Sequence, residues 1–259
     1  KRQGIIPGIK VDLGAKPLAR FPDEKITEGL DGLRDRLVGY RHLGAQFTKW
    51  RAVIGINDHH PSRACLEANA HALARFAALT QEAGLVPIVE PEVLMEGSHS
   101  IDRCAEVTEA ALHYVFTALF AHRVSFEPML LKPNMVVPGK EFQPQAGAEE
   151  VADKTMQILR RTVPAAVPGI VFLSGGQSDL QATQNLNAIN QRKGHAPWEL
   201  SFSFGRALQA AAMKTWQGNS ANISAAQQAF YHRARCNSFA RSGKYTEDME
   251  KKMQDRPAV

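Results

Sequence analysis

Apolar runs that break off into a polar end at a nearly constant interval constrain the fold of this chain more than any single motif. Five such ends are Ile9-Lys10-Val11-Asp12, Phe47-Thr48-Lys49-Trp50-Arg51, Ile88-Val89-Glu90-Pro91-Glu92, Leu130-Leu131-Lys132-Pro133-Asn134-Met135 and Val171-Phe172-Leu173-Ser174-Gly175-Gly176. From Lys10 through Lys49, Glu90 and Lys132 to Ser174 the steps are 39, 41, 42 and 42 residues. Each step is about one strand, loop, helix and return loop long. A sixth run, Leu200-Ser201-Phe202-Ser203, follows.

The intervening stretches carry helical periodicity. The clearest spans Arg63 to Ala83, where Ala, Leu and Phe recur at helical spacing after Pro61-Ser62. Ile101 to His122, Asp31 to Leu43, Ala148 to Thr162, Asp179 to Asn190 and Arg206 to Trp216 complete the alternation, and Ile223 to Arg241 reads as one more helix. Alternation of this kind predicts a parallel sheet with helical crossovers, whose functional groups gather at the carboxyl ends of the strands. The polar ends fall there.

With 259 residues, 44% hydrophobic and 22% charged, the chain has enough apolar matter for one large α/β domain, expected over 1–245, followed by a polar, flexible tail over 246–259. The net charge of +5 is spread along the chain, which favours small phosphate-bearing molecules over nucleic acid. Cys65, Cys104 and Cys236 are odd in number and in no CxxC or Cys/His ligand spacing, which argues against a disulfide framework or a zinc site and for a reducing, cytoplasmic setting. No apolar stretch reaches the roughly 18 residues of a membrane span, so no membrane partner is expected.

Lys132 ends an apolar run where a core has no use for an amine, which makes it a candidate nucleophile. Taken alone it would read as a strand-end lysine reaching for solvent. Glu90 and Glu92, two apart on one strand, share a face and can point into one site as proton donor and acceptor. Ser174-Gly175-Gly176 can offer backbone amides to a phosphate, and Gly205-Arg206 opens a helix with a guanidinium at its N-terminus. His59-His60 lacks the spacing of a metal pair and reads as loop, and Trp50 as packing.

Six strand-like runs fall two short of a closed barrel. Gly8-Ile9-Lys10-Val11-Asp12, Lys49-Trp50-Arg51, Ile88-Val89-Glu90-Pro91-Glu92, Leu131-Lys132-Pro133-Asn134-Met135, Phe172-Leu173-Ser174-Gly175-Gly176-Gln177-Ser178 and Ser203-Phe204-Gly205-Arg206-Ala207-Leu208-Gln209 together resemble, in order, the motifs of the class I, Schiff-base fructose-bisphosphate aldolases. The resemblance runs to about Tyr245. It implies a (β/α)8 TIM barrel, of which this chain would hold about six strands, those resembling the third to the eighth. It also implies a glycolytic lyase that cleaves fructose 1,6-bisphosphate through a lysine imine with no metal or other cofactor, and a homotetramer.

By resemblance Lys132 forms the imine, Lys49 is the cationic neighbour that favours its free amine, Glu90 is acid and base at the imine carbon, and Glu92 supports the lysines by hydrogen bonds. Ser174, Gly175, Gly176, Ser203, Gly205 and Arg206 would hold the phosphate at the ketose end, and Lys10 and Arg51 the second phosphate. The first-strand aspartate that the family uses as base has no counterpart here, and Tyr245 stands too early to match the tyrosine that ends many members. Two other readings remain beside the aldolase. One is a catalytically silent sugar-phosphate-binding or scaffolding protein. The other is a different Schiff-base barrel such as a transaldolase, which shares the lysine chemistry but not the six motifs.

Overall fold

The computed structural model describes residues 3–251 and arranges the runs as a sheet of six parallel strands. These are β1 (Gly8–Lys10), β4 (Phe47–Ile54), β5 (Val86–Val93), β6 (Leu130–Leu131), β7 (Gly169–Phe172) and β8 (Glu199–Phe202), hydrogen-bonded in that order. Helices α1 (Leu33–His42), α2 (Arg63–Glu82), α3 (Ile101–Ala121), α4 (Ala148–Thr162) and α5 (Asp179–Gln191) cross from each strand to its neighbour. After β8 come α6 (Arg206–Trp216) and α7 (Ile223–Arg241).

The strands divide their side chains by pleat. Along β4, Thr48, Trp50, Ala52 and Ile54 are buried, Trp50 stacking on Phe76 of α2 at 5.7 Å between ring centroids, while Lys49 and Arg51 occupy the alternate face. Thr48 and Thr80 are both buried and satisfy each other at 2.9 Å between hydroxyls. Serine caps start three helices: Ser62, Ser100 and Ser178 accept from the N–H groups of Cys65, Arg103 and Gln181. Each is worth about 1 kcal/mol. Helix α4 lacks a side-chain cap but carries Glu149 and Glu150 in its first turn and Arg160 and Arg161 in its last, which complement its dipole.

Strand β6 is two residues long for a local reason. The Lys132 N–H still donates to the Val89 carbonyl at 2.8 Å, but Pro133 has no N–H to extend the ladder.

Sequence periodicity does not foresee an antiparallel hairpin of β2 (Ala15–Pro17) and β3 (Lys25–Thr27), between β1 and α1. Its strands are too short for a pattern, and side-chain bonds fasten it. Glu24 accepts from the Ser62 N–H and hydroxyl at 2.6 and 2.5 Å, Thr27 donates to the Arg51 carbonyl at 2.7 Å, and Asn69 donates to the Lys25 carbonyl at 2.8 Å.

Within the tail, Asp248–Lys251 forms a short helix, α8. Glu250 takes two bonds from Arg233 of α7, at 2.9 and 2.7 Å, and one from the Tyr245 hydroxyl at 2.9 Å. Residues 252–259 of the expected tail lie outside the described residues. Burial pushes the Tyr245 phenol up, and its bond to Glu250 adds to the rise. A raised folded value means stability that is whole below the ordinary tyrosine value of 10 and drains as pH climbs past it. Ultraviolet titration should therefore find one of the four tyrosines ionising well above the rest, with thermal stability falling as pH rises above 10, and a normal titration of all four would contradict this.

The loops following β5 and β6 are stitched together at the carboxyl end of the sheet. Gly139 N–H donates to the His99 carbonyl at 2.9 Å, Lys140 to Met95 at 2.8 Å and Glu141 to Gly97 at 3.1 Å. A Cβ on Gly139 would lie 2.2 Å from the Gly97 carbonyl oxygen. Backbone cannot swing aside as a side chain can, so Gly139→Ala is expected to lower unfolding free energy by about 3 kcal/mol, the upper range for overpacking. Denaturant midpoints check it, and an unchanged midpoint would refute the contact.

Candidate active site

The carboxyl ends of neighbouring strands bring the predicted charged residues into one cluster. Parallel pairing sets Lys10 beside Lys49 and Arg51 beside Glu90. Residues two apart on a strand share a face, so Lys49 and Arg51 on β4 meet Glu90 and Glu92 on β5. Lys132, directly after β6, joins from the other side.

Glu90 is at the centre. Its carboxylate is buried, with Lys132 Nζ 3.1 Å from Oε1 and Lys49 Nζ 2.6 Å from Oε2. One carboxylate thus pairs with both lysines, one at each oxygen. The two lysine side chains are 19% and 12% exposed, enough for a small molecule to reach the amines but too little for water to screen the charges fully.

Glu92 departs from the expectation that it supports the lysines. It pairs with the Arg51 guanidinium, and both lysines pair with Glu90. The register explains the difference, because Arg51 lies one pleat beyond Lys49 just as Glu92 lies one pleat beyond Glu90. The bond to Glu92 is the main reason the Arg51 guanidinium holds its proton even more tightly than usual. Lys10 is half-exposed and paired to Asp12 at 2.5 Å.

Asp12 belongs to this cluster although its charge drew no attention in the sequence. Besides Lys10 it accepts from the N–H groups of Gly14 at 3.1 Å and Arg51 at 3.2 Å, and is itself buried. The available signal was Lys10-Val11-Asp12, an acid two residues beyond a strand-end lysine. Asn134 is a second such residue. Its amide accepts from Val93 N–H and donates to the Thr108 hydroxyl and the Met135 carbonyl, all at 3.1 Å, tying the ends of β5 and β6 together. Four cations (Lys10, Lys49, Arg51, Lys132) against three carboxylates (Asp12, Glu90, Glu92) leave the cluster at a formal +1. It favours an anion.

Ser174, Gly175 and Gly176 follow β7. Gly175 packs on the cluster so closely that a Cβ there would lie 2.6 Å from Glu92 Oε1, so the turn must pass without a side chain. The turn closes by a bond from Gln177 N–H to the Ser174 carbonyl, while the N–H groups of Ser174, Gly175 and Gly176 find no acceptor among the described residues. Ser203 continues β8, its N–H bonded to the Phe172 carbonyl at 2.9 Å. Gly205 caps α6 and Arg206 opens it, exposed and without an ion-pair partner among the described residues. These groups lie next to the cluster by strand order and, among the described residues, make no hydrogen bond or ion pair with the two lysines. A row of unfilled N–H donors beside a helix N-terminus and a free guanidinium suits a phosphate.

His59 and His60 lie in the turn before Pro61, as read, with the N–H groups of both bonded to the Asn57 side chain at 2.8 Å. Trp50 is fully buried packing. Among the described residues no helix is long and apolar enough to cross a membrane.

Comparisons agree with this geometry. A family model described as fructose-bisphosphate aldolase class-I matches residues 1–258. A probable fructose-bisphosphate aldolase class 1 from Xanthomonas axonopodis pv. citri is 58% identical over 243 residues, covering 93% of this chain and 72% of the relative. The cytosolic fructose-bisphosphate aldolase 6 of Arabidopsis thaliana is 54% identical over 248 residues, covering 96% and 69%. A solved fructose-bisphosphate aldolase from Plasmodium falciparum, in complex with TRAP and a small-molecule inhibitor, superposes with a TM-score of 0.93 at 48% identity, covering 95% of this chain and 71% of that one. The parallel sheet is thus six strands of a (β/α)8 barrel, and the chain belongs to the class-I fructose-bisphosphate aldolase family.

Proposed function

We propose that this chain reversibly cleaves fructose 1,6-bisphosphate into dihydroxyacetone phosphate and glyceraldehyde 3-phosphate, with Lys132 as the imine-forming amine. The observation that carries this reading is the buried Glu90 carboxylate held between two lysine ammonium groups, at 3.1 Å from Lys132 and 2.6 Å from Lys49. Breaking the bond beside a ketone leaves an electron pair on carbon. A protonated imine accepts that pair as a neutral enamine, far more readily than a neutral ketone accepts it as an enolate.

Each residue then has a task. Lys132 attacks the ketose carbonyl as its free amine. Glu90 takes the proton that Lys132 must shed to attack and delivers it to the carbinolamine hydroxyl, which leaves as water, and the reverse transfers accompany the water that hydrolyses the imine. Lys49, across the same carboxylate, stands as the second cation at the reacting centre. Glu92 orients Arg51, and Arg51 with Lys10 faces the distal phosphate, while the amides after β7, Ser203, Gly205 and Arg206 receive the ketose-end phosphate.

The chemistry asks for no metal, because the imine is the electron sink. A homotetramer in the cytoplasm completes the reading, in keeping with the cytosolic relative, and light scattering of the protein would test the assembly.

Borohydride reduction in the presence of dihydroxyacetone phosphate, followed by peptide mass spectrometry, tests the mechanism. A reduced adduct on Lys132 is expected. An adduct on another lysine would overturn the assignment, and bisphosphate binding with no adduct would turn the reading to a silent sugar-phosphate-binding protein.

A further inference from the structure

Where α7 meets the tail, three side chains that the aldolase chemistry does not use converge. His232 and Cys236 are four residues apart on α7 and so share one face of it, a Cys/His spacing that the reading of the cysteines as lying outside any ligand pattern had passed over. Glu250 of α8 comes up against that face. His232 Nε2 lies 3.7 Å from Cys236 Sγ and 3.5 Å from Glu250 Oε2, and one ligand atom from each residue lies within 4.8 Å of the others. Among the described residues no other group of three has this property.

We propose that His232, Cys236 and Glu250 form a binding site for a zinc-like divalent cation, which fastens the tail to α7. The spacing is the first argument. A tetrahedral ion with bonds of about 2.0–2.3 Å sets its ligand atoms about 3.3–3.6 Å apart. The imidazole-to-thiol and imidazole-to-carboxylate separations are within a few tenths of an ångström of that range.

Ligand chemistry is the second. One thiolate, one imidazole and one carboxylate suit a borderline ion of the zinc type and leave a fourth position for water. Support behind the ligands is the third. Arg233 grips both oxygens of Glu250, the Tyr245 hydroxyl donates to it, and Arg233 is in turn held by the Thr183 hydroxyl at 3.2 Å and faces Asp179 at 3.8 Å.

Binding replaces the S–H bond of Cys236 by a sulfur–metal bond and releases one proton to solvent, with no change of oxidation state. His232 and Glu250 are partly exposed, so an ion can enter from solvent, whereas Cys236 is buried with its sulfur beside His232. Cys65 and Cys104 are bonded instead to the Lys25 carbonyl and the Thr108 hydroxyl.

Cobalt(II) titration of the chelator-treated full chain tests the site. One equivalent is expected to produce a thiolate-to-cobalt charge-transfer band with tetrahedral visible bands, displaced by zinc. Cys236→Ala should abolish the charge-transfer band, His232→Gln and Glu250→Gln should each weaken binding by about 10–100-fold, and Cys65→Ala should leave it unchanged. No charge-transfer band from the unaltered chain, or a band retained by Cys236→Ala, overturns the proposal. If circular dichroism finds Cys236→Ala unfolded, His232→Gln decides, since it alters a partly exposed side chain: unchanged affinity overturns the site and weakened affinity supports it.

Discussion

Lys132→Met is expected to reduce cleavage of fructose 1,6-bisphosphate to background, a loss on the order of 10^5–10^6, as when other covalent nucleophiles are removed. Without the amine no imine forms, and the electron pair released by carbon–carbon cleavage has no cationic acceptor. The substitution separates chemistry from folding. Methionine nearly matches the lysine stem, the backbone N–H of residue 132 still donates to the Val89 carbonyl, and Glu90 keeps Lys49 at 2.6 Å. Stability should therefore change by only about 1–2 kcal/mol. Steady-state turnover, borohydride trapping and a denaturant melt on the same preparation check the three parts. Turnover within tenfold of the parent chain would sink the covalent mechanism, whatever the melt reports.

Glu90→Gln carries the second largest effect and reaches both activity and stability. The swap keeps shape and removes the charge that stands between Lys49 and Lys132. Proton delivery to the carbinolamine oxygen is lost, which lowers kcat by about 10^2–10^4. At the same time two ammonium groups are left facing each other across an amide in a mostly buried setting, a change in the class that costs about 3–5 kcal/mol. A double-mutant cycle identifies the cause. Adding Lys49→Met to Glu90→Gln should recover part of the lost stability, because it removes one of the two opposed charges, while activity stays low. A fully stable Glu90→Gln, or a double variant less stable than the sum of the single changes, would mean that the lysines do not depend on this carboxylate.

Some of this molecule is legible one residue at a time. The helices from Ala148 to Thr162, Arg206 to Trp216 and Ile223 to Arg241 begin and end where periodicity places them. Long amphipathic segments are read well because many residues repeat one choice of face. The β2–β3 hairpin is not, because three-residue strands repeat nothing and are held by Glu24, Thr27 and Asn69 reaching across to other elements. The extent of β5 was read short, since Glu90-Pro91-Glu92 looks like a strand end while pairing with β4 carries the strand on to Val93.

At the site, residue types and their interval singled out Lys49, Glu90, Glu92 and Lys132 as polar strand ends, and the resemblance to the aldolases supplied the bond-breaking chemistry. What they could not supply was the partner of each charge. Glu92 was expected to serve the lysines and serves Arg51; Asp12 was passed over and binds Lys10 and the Arg51 amide; Glu250 fell in the expected flexible tail and is held by Arg233 and Tyr245. Periodicity along the chain, a local property of sequence, was enough to determine the alternating elements and the set of polar strand ends. Pairing between those ends was decided only in the tertiary structure, because parallel strands joined by about forty residues of crossover take their register from packing across the sheet, and a shift of one pleat changes which carboxylate each cation meets.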